Sequence, residues 1–247
     1  WPTAFARVSN AKWSGSGSDP EVIRELLRYP FAGSPRIDAV LVGGGLHLLA
    51  VWVPLLPFVV VAGYGSRVLA ATADVDRVRD AARPAWRPIR PLLADGLRMV
   101  VTAVGYLAVP TVLLVVTFGG PLERVDPTGT TDGTVFLLGT TLTTMLAFAV
   151  AYPLPAALVA VARERSLRAA VDASLVGPAT RDAGYLVAVL LSMPALALAA
   201  GAYGALNVVA LGFFIAFYVE VVVAAVLGNA TGRAWRRRGI VGGERYG

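Results

Sequence analysis

Four long apolar blocks, separated by short charged segments, dominate this sequence. They cover approximately residues 37–65, 99–118, 134–162 and 183–227. A helix that crosses the hydrocarbon layer of a bilayer needs about 20 predominantly apolar residues. Charged residues make up only 15% of the chain, whereas a soluble domain carries about 25%. Block length and composition together predict an all-α integral membrane protein.

The number of crossings depends on how the longest blocks divide. Residues 183–227 are too long for one crossing and suit two, with a turn expected at 203–207. Residues 37–65 are ambiguous, because they could form one tilted crossing or two short helices that turn between Trp52 and Pro57. In the second case each arm is at the short limit for a crossing, so a re-entrant hairpin is a further alternative.

The distribution of basic residues favours the hairpin. Of the 22 basic residues, all but Arg124 lie in four segments, which are 1–36, 67–98, 163–182 and 228–247. Basic residues collect on the cytoplasmic side of membrane proteins, so all four segments should face the cytoplasm. We therefore predict six transmembrane helices arranged as three hairpins, with both termini cytoplasmic. A bundle of five helices stays as the alternative, although it places one basic segment on the opposite side.

The same pattern divides the chain into three parts. Residues 1–36 form a cytoplasmic N-terminal segment, in which Asp19-Pro20-Glu21 begins a short amphipathic helix that lies on the membrane surface. Residues 37–228 form the multi-pass membrane domain. Residues 229–247 form a basic cytoplasmic tail.

Several motifs, in their order and spacing, resemble a known family. They are Leu27-Arg28-Tyr29-Pro30-Phe31, the glycine-rich Val42–Leu46, Pro84-Ala85-Trp86 and Leu92–Arg98. Together they resemble a largely haloarchaeal family of prokaryotic multi-pass membrane proteins, the domain of unknown function 4013, over residues 21–228. The resemblance implies a multi-pass membrane domain and brings with it no activity, ligand or catalytic residue.

His47 and Glu220 are the ionisable side chains expected well inside membrane helices. A charge in hydrocarbon is costly, so such residues usually face a bundle interior or a wet cavity. They form the candidate intramembrane polar site, which could bind a cation or relay a proton. The structural alternative is that each is neutral and hydrogen-bonded to a neighbouring helix.

The segment from Arg67 to Arg98 has a different character, because it mixes arginines with prolines and Trp86. Arginine pairs with lipid phosphates, and tryptophan is enriched at the level of the headgroups. We expect contact with lipid headgroups here, through Trp86, Arg83, Arg87 and Arg90.

Other residues predict packing. Glycines allow close approach between membrane helices, and the candidates are Gly43, Gly44, Gly45, Gly201 and Gly204. Acidic residues near block boundaries predict structural ion pairs with nearby arginines, among them Asp95 with Arg98 and Asp182 with Arg181.

The composition limits the chemistry. The chain has no cysteine and one histidine, which excludes a thiolate nucleophile and a metal site built from several histidines. We expect no catalytic residue, metal or cofactor. The partner we expect is the lipid bilayer and not nucleic acid, while homo- or hetero-oligomerisation stays open. The sequence thus predicts a non-catalytic structural or interaction protein of the cell membrane, and the alternative is a small-molecule or ion transporter or channel that uses Glu220.

Overall fold

The computed structural model describes residues 24, 27–31, 38–53, 55–119, 130–206 and 210–240. All regular secondary structure in these residues is helical, which confirms the predicted fold class. Short 3₁₀ turns lie at Tyr29–Phe31, Val78–Asp80 and Leu167–Val171. The α-helices with described bounds are α1 (Asp38–Ala50), α2 (Leu55–Ala73), α3 (Ile89–Gly119), α4 (Thr130–Ala151), α5 (Leu154–Glu164), α6 (Ala173–Thr180), α7 (Ala183–Leu206) and α8 (Leu211–Arg237).

Five stretches of these helices are long and apolar enough to cross a membrane. They are α2, most of α3, α4 together with α5, α7, and α8. Helix α1 is apolar but has only 13 residues. At about 1.5 Å per residue it extends roughly 20 Å, less than the roughly 30 Å of the hydrocarbon layer. The predicted hairpin of the first block is present, with turn residues described at 51–53, but its first arm is short for a crossing.

Three predicted boundaries move in the structure. Helix α3 begins at Ile89, well before the apolar block. Pro88 precedes the helix and Pro91 lies in its first turn, where proline is tolerated. The third block is not one straight helix, since it breaks at Tyr152-Pro153 between α4 and α5. Helix α8 continues to Arg237, so the first part of the predicted tail is helical.

Other expectations lie partly outside the described residues. In the predicted amphipathic helix, Arg24, Leu27 and Arg28 are helical and the remaining positions are not described. Residues 120–129, between α3 and α4, are not described. The turn of the last hairpin falls between Leu206 and Leu211, slightly later than expected, and residues 207–209 within it are not described.

Helix α5 packs against four other helices. It is rich in alanine and valine, and six of its eleven residues are buried, so α2, α3, α6 and α8 can all pack closely around it. The break before α5 frees backbone groups, and the Tyr185 hydroxyl satisfies two of them. It donates to the Tyr152 carbonyl at 2.9 Å and accepts from the Ala156 N–H at 3.1 Å.

Ion pairs join the helix ends that carry the basic segments. Asp74 and Asp76, which follow α2, pair with Arg163 of α5 at 3.0 Å and Arg236 of α8 at 2.9 Å. Asp182, just before α7, pairs with Arg237 at 2.9 Å. We call these six residues the charged layer. They bring one end of each predicted hairpin together, as the basic-residue distribution predicts.

Candidate functional site

Helix α1 approaches α8 closely because two successive glycines face it. A Cβ atom on Gly43 would overlap the Phe217 ring, and one on Gly44 would overlap the Phe214 ring. The sequence therefore needs glycine at both positions for this contact. One turn later on α1, the same approach brings His47 to Glu220 of α8.

The two predicted intramembrane polar residues are in contact. His47 Nδ1 donates to the Gly43 carbonyl at 3.0 Å, and His47 Nε2 lies 3.3 Å from Glu220 Oε1. The His47 side chain is only 5% exposed, whereas that of Glu220 is 42% exposed. Phe58 and Phe217 stand edge-on to the imidazole, with centroids 5.8 and 5.9 Å away. Apolar rings therefore surround the pair at His47, whereas the pair is open to the surface of the protein at Glu220.

Hydrogen-bond direction restricts the protonation states of the pair. A carbonyl only accepts, so the proton on Nδ1 must point at Gly43. Nε2 then either accepts from a protonated Glu220 or carries a proton that it donates to the Glu220 carboxylate. Either arrangement shares one proton between the two side chains and leaves no net charge. Both keep the cost of placing ionisable groups among apolar helices low.

Two of the residues predicted to contact lipid headgroups, Arg83 and Trp86, lie near the His47–Glu220 pair. Trp86 stacks on Tyr64 of α2 with centroids 4.2 Å apart, and its face is turned toward the protein. The Arg83 guanidinium lies 5.6 Å above the centre of the Tyr29 ring. Phe217 lies between the two groups, 5.9 Å from both the His47 and the Trp86 rings. The side chains of Arg87 and Arg90 are exposed. Headgroup contact through these residues stays a prediction.

Residues that sequence reasoning missed hold this region in place. Arg67 of α2 donates to the carbonyls of Ala85, Arg87 and Pro88 at 2.5, 3.1 and 3.1 Å. It also lies 3.9 Å from the buried carboxylate of Asp95. The one signal in the sequence was a single arginine inside an otherwise apolar helix, and its carbonyl partners are distant in the chain.

The predicted ion pairs are partly confirmed. Asp95 pairs with Arg98 at 2.9 Å, as its spacing suggested. Asp182 pairs with Arg237 and not with Arg181, because α8 extends into the charged layer. Asp172 caps α6 by accepting from the Ser174 N–H at 2.8 Å. Hydrogen bonds from the Ser174 side chain and N–H hold the pKa of Asp172 below its usual value.

The part of the chain that the structure describes contains no group of three or more His, Asp and Glu side chains arranged to hold a metal ion. The His47–Glu220 pair is a two-residue site, and the chemistry open to it is proton exchange or the binding of a single cation by the carboxylate.

Comparison with known proteins bears on the family. A family model described as "Protein of unknown function (DUF4013)" matches residues 46–208, which is well over half of the chain. Comparison with curated proteins and with solved structures found no match.

Proposed function

The chain belongs to the DUF4013 family, and we propose that it is a non-catalytic structural or interaction protein of the cell membrane, with both termini in the cytoplasm. The observation that carries this proposal is the charged layer. It ties the ends of three hairpins into one scaffold, which is the property that a structural protein of the membrane requires.

Backbone contacts reinforce the layer. The Asn229 side chain donates to the Val75 carbonyl at 2.8 Å, and Arg236 donates to the carbonyls of Ala73 and Val75 at 2.6 and 2.7 Å. The Trp235 indole N–H donates to the Leu175 carbonyl at 2.7 Å. The two hydrogen bonds from Arg236 are charge-assisted and therefore stronger than the neutral ones from Asn229 and Trp235, and all of them hold the helix ends together.

Away from the layer, the long helices present apolar side chains outward. Such a surface suits contact with lipid acyl chains, which supports the bilayer as the main partner. The exposed apolar residues include Val112, Val115 and Val116 of α3, Leu137, Leu138 and Leu142 of α4, and Leu190, Leu191 and Leu198 of α7.

Reporter fusions test the orientation. Junctions after Gly120 and Asn207 should report the outer side, and a junction after Ile240 should report the cytoplasm. A cytoplasmic signal after Gly120 or Asn207 would contradict the proposal. A cytoplasmic signal after Trp52 would show that the first hairpin is re-entrant, which the short α1 favours.

Complementation tests the structural role. In a strain that lacks the protein, the double variant Asp76→Asn/Arg236→Gln should fail to restore the normal phenotype, because it removes a link of the charged layer. Glu220→Gln should restore it fully. The opposite pattern, with only Glu220→Gln inactive, would exclude a purely structural role.

The His47–Glu220 pair favours a second candidate function, which is proton-coupled or cation transport. His47 Nε2 and Glu220 Oε1 are 3.3 Å apart, within reach for proton exchange, and the pair is open on the Glu220 side. In proteoliposomes, Glu220→Gln should abolish proton-coupled flux, while Glu164→Gln, an exposed residue at the end of α5, should leave it intact. Flux that Glu220→Gln leaves unaltered would remove this candidate.

A further inference from the structure

Three buried hydrogen-bond donors next to the His47–Glu220 pair have no acceptor within the described part of the chain. They are the Tyr29 hydroxyl, the Arg83 Nε–H and the Trp86 indole N–H. Tyr29 is only 4% exposed. Buried polar groups in proteins are almost always hydrogen-bonded, so three such donors in one cluster indicate a ligand that supplies the acceptors.

The donors belong to a single cluster, which we call the interfacial cluster: Tyr29, Tyr64, Arg83 and Trp86. Arg83 lies over Tyr29, and Trp86 stacks on Tyr64 at an interplanar angle of 16°. Tyr29, Tyr64 and Trp86 also belong to the same buried apolar core. The side chains are therefore held in position before any ligand arrives.

The loop that carries Arg83 and Trp86 is also fixed. Arg67 already satisfies the carbonyls of Ala85, Arg87 and Pro88, so these carbonyls do not compete for the donors of the cluster. An organised site loses little conformational entropy when it binds a ligand.

The cluster carries the positive charge of Arg83. Among the described residues, no carboxylate forms an ion pair with Arg83. The nearby carboxylate of Asp95 is already paired with Arg98 and lies close to Arg67. Burial lowers the pKa of Arg83, and the hydroxyls of Tyr29 and Tyr64 partly restore it, but a guanidinium stays protonated at neutral pH.

From this geometry we infer that the interfacial cluster binds one phosphate group, supplied by a phospholipid headgroup. A phospholipid phosphate only accepts hydrogen bonds and carries negative charge, so it matches a cationic site whose three unpaired groups can all donate. Arginine recognises phosphate with two parallel hydrogen bonds, and Trp and Tyr are the residues enriched at headgroup level. The charged side chains of Arg67, Asp95 and Arg98 beside the loop are consistent with that level.

The inference rests on the proposed function in one respect, since a membrane location makes a lipid the source of the phosphate. Free phosphate is the other source of the same chemistry. The two can be separated experimentally, because a soluble phosphate acts without a bilayer.

Native mass spectrometry of the full chain, purified in a phosphate-free sugar detergent, measures the affinity for phosphatidylglycerol. The wild type should bind one molecule tightly. Arg83→Gln should weaken binding about tenfold or more, since hydrogen bonds between charged groups are the strong ones. Tyr29→Phe removes only a hydroxyl and should weaken binding about threefold or more while the fold is preserved. Arg77→Gln, an exposed arginine of the same loop that is not among the predicted headgroup contacts, is the matched control and should bind like the wild type.

Equal affinities of Arg83→Gln, Tyr29→Phe and Arg77→Gln would overturn the site. Equal binding of a phosphate-free glycolipid would overturn phosphate recognition. Displacement of phosphatidylglycerol by inorganic phosphate at the same concentration would overturn the lipid source, while supporting a phosphate site. Reporter fusions do not depend on lipid affinity, so failure of this inference is distinguishable from failure of the proposed orientation.

Discussion

Trp235 shows how much of the charged end of the molecule depends on single side chains. It is 1% exposed, its indole donates from α8 to the Leu175 carbonyl of α6, and the Arg163 guanidinium lies 5.7 Å above its ring. One residue thus connects α8, α6 and α5. An apolar tryptophan face combined with a satisfied N–H is the combination that makes such a residue stable in a core.

Trp235→Phe should destabilise the protein. The change leaves the Leu175 carbonyl without its buried donor and opens a small cavity, which together cost about 1–3 kcal/mol. The midpoint of thermal unfolding in detergent measures the effect. Trp52→Phe is the control, because Trp52 is 81% exposed at the turn between α1 and α2 and should leave the midpoint unchanged. Equal shifts for the two variants would contradict the assigned role of Trp235.

Asp182 predicts a pH dependence. Burial opposes its ionisation, but the Tyr185 N–H, the Arg237 guanidinium and the Gly184 N–H outweigh burial and hold its pKa below the usual value. A carboxyl group with a lowered pKa stabilises the fold above its unfolded pKa of about 3.9, and this contribution is lost as pH falls through the folded pKa.

Asp182→Asn should therefore lower stability by about 1 kcal/mol at pH 7, because asparagine keeps the helix-capping geometry and loses the charge. The difference between wild type and variant should hold from pH 7 to pH 5 and shrink below pH 4. Unfolding midpoints across this range test it, and a difference that persists unchanged at pH 3 would contradict the assignment.

At the scale of residues, the sequence identified His47 and Glu220 but not their contact. The two residues stand out because polar side chains are scarce in the apolar blocks. Their contact depends on how α1 crosses α8, which the sequence does not show. The orientation of Trp86 was out of reach for a similar reason. Composition places an aromatic residue near the headgroups, but it does not say whether its ring faces lipid or, as here, Tyr64.

At the scale of helices, glycine positions decide where elements cross, and the sequence predicted only some of them. Gly43 and Gly44 allow the expected close approach, and the partner is α8, whereas a Cβ on Gly45, Gly201 or Gly204 would meet nothing within 4 Å. The closest crossings were missed. They are Gly63 with Gly96, which joins α2 to α3, and Gly228 and Gly232, which seat α8 on α2. Spacing shows that a helix can be approached closely but not which of its faces has a partner.

Gly96→Ala and Gly105→Ala should have opposite effects on stability, although both lie in α3. A Cβ at Gly96 would overlap the Val59 carbonyl, and backbone cannot move aside cheaply, so we expect a loss of about 1–3 kcal/mol. At Gly105 nothing lies within 4 Å, so alanine should add up to about 1 kcal/mol through its higher helix propensity. Unfolding midpoints of the two variants in one detergent give the comparison, and the same sign for both would refute the crossing.

At the scale of the whole molecule, the distribution of charged residues predicted more about the arrangement of the hairpins than the apolar blocks did. The distribution of arginines predicted that the four basic segments share one side of the membrane, and the charged layer joins residues of three of them. The apolar blocks alone could not reveal that the third block breaks at Tyr152-Pro153. Pro153 and Pro155 favour the break locally, because proline interrupts a helix, whereas the Tyr185 hydroxyl that satisfies the freed backbone groups is a tertiary contact.

The chain contains no cysteine, so engineered cysteine pairs can test this arrangement without background. Asp74 and Arg163 form an ion pair at 3.0 Å, and Asp74→Cys/Arg163→Cys should therefore be joined within one chain by a bifunctional thiol reagent of about 8 Å. Trp52 lies beyond the other end of α2, whose 19 residues extend roughly 28 Å, so Trp52→Cys/Arg163→Cys should not be joined. Mass spectrometry of the digested membranes distinguishes the two products. Joining of the Trp52 pair with comparable yield would mean that the first hairpin does not hold its turn away from the charged layer. Joining of the Asp74 pair alone would establish that the first and second hairpins end at the same side of the protein.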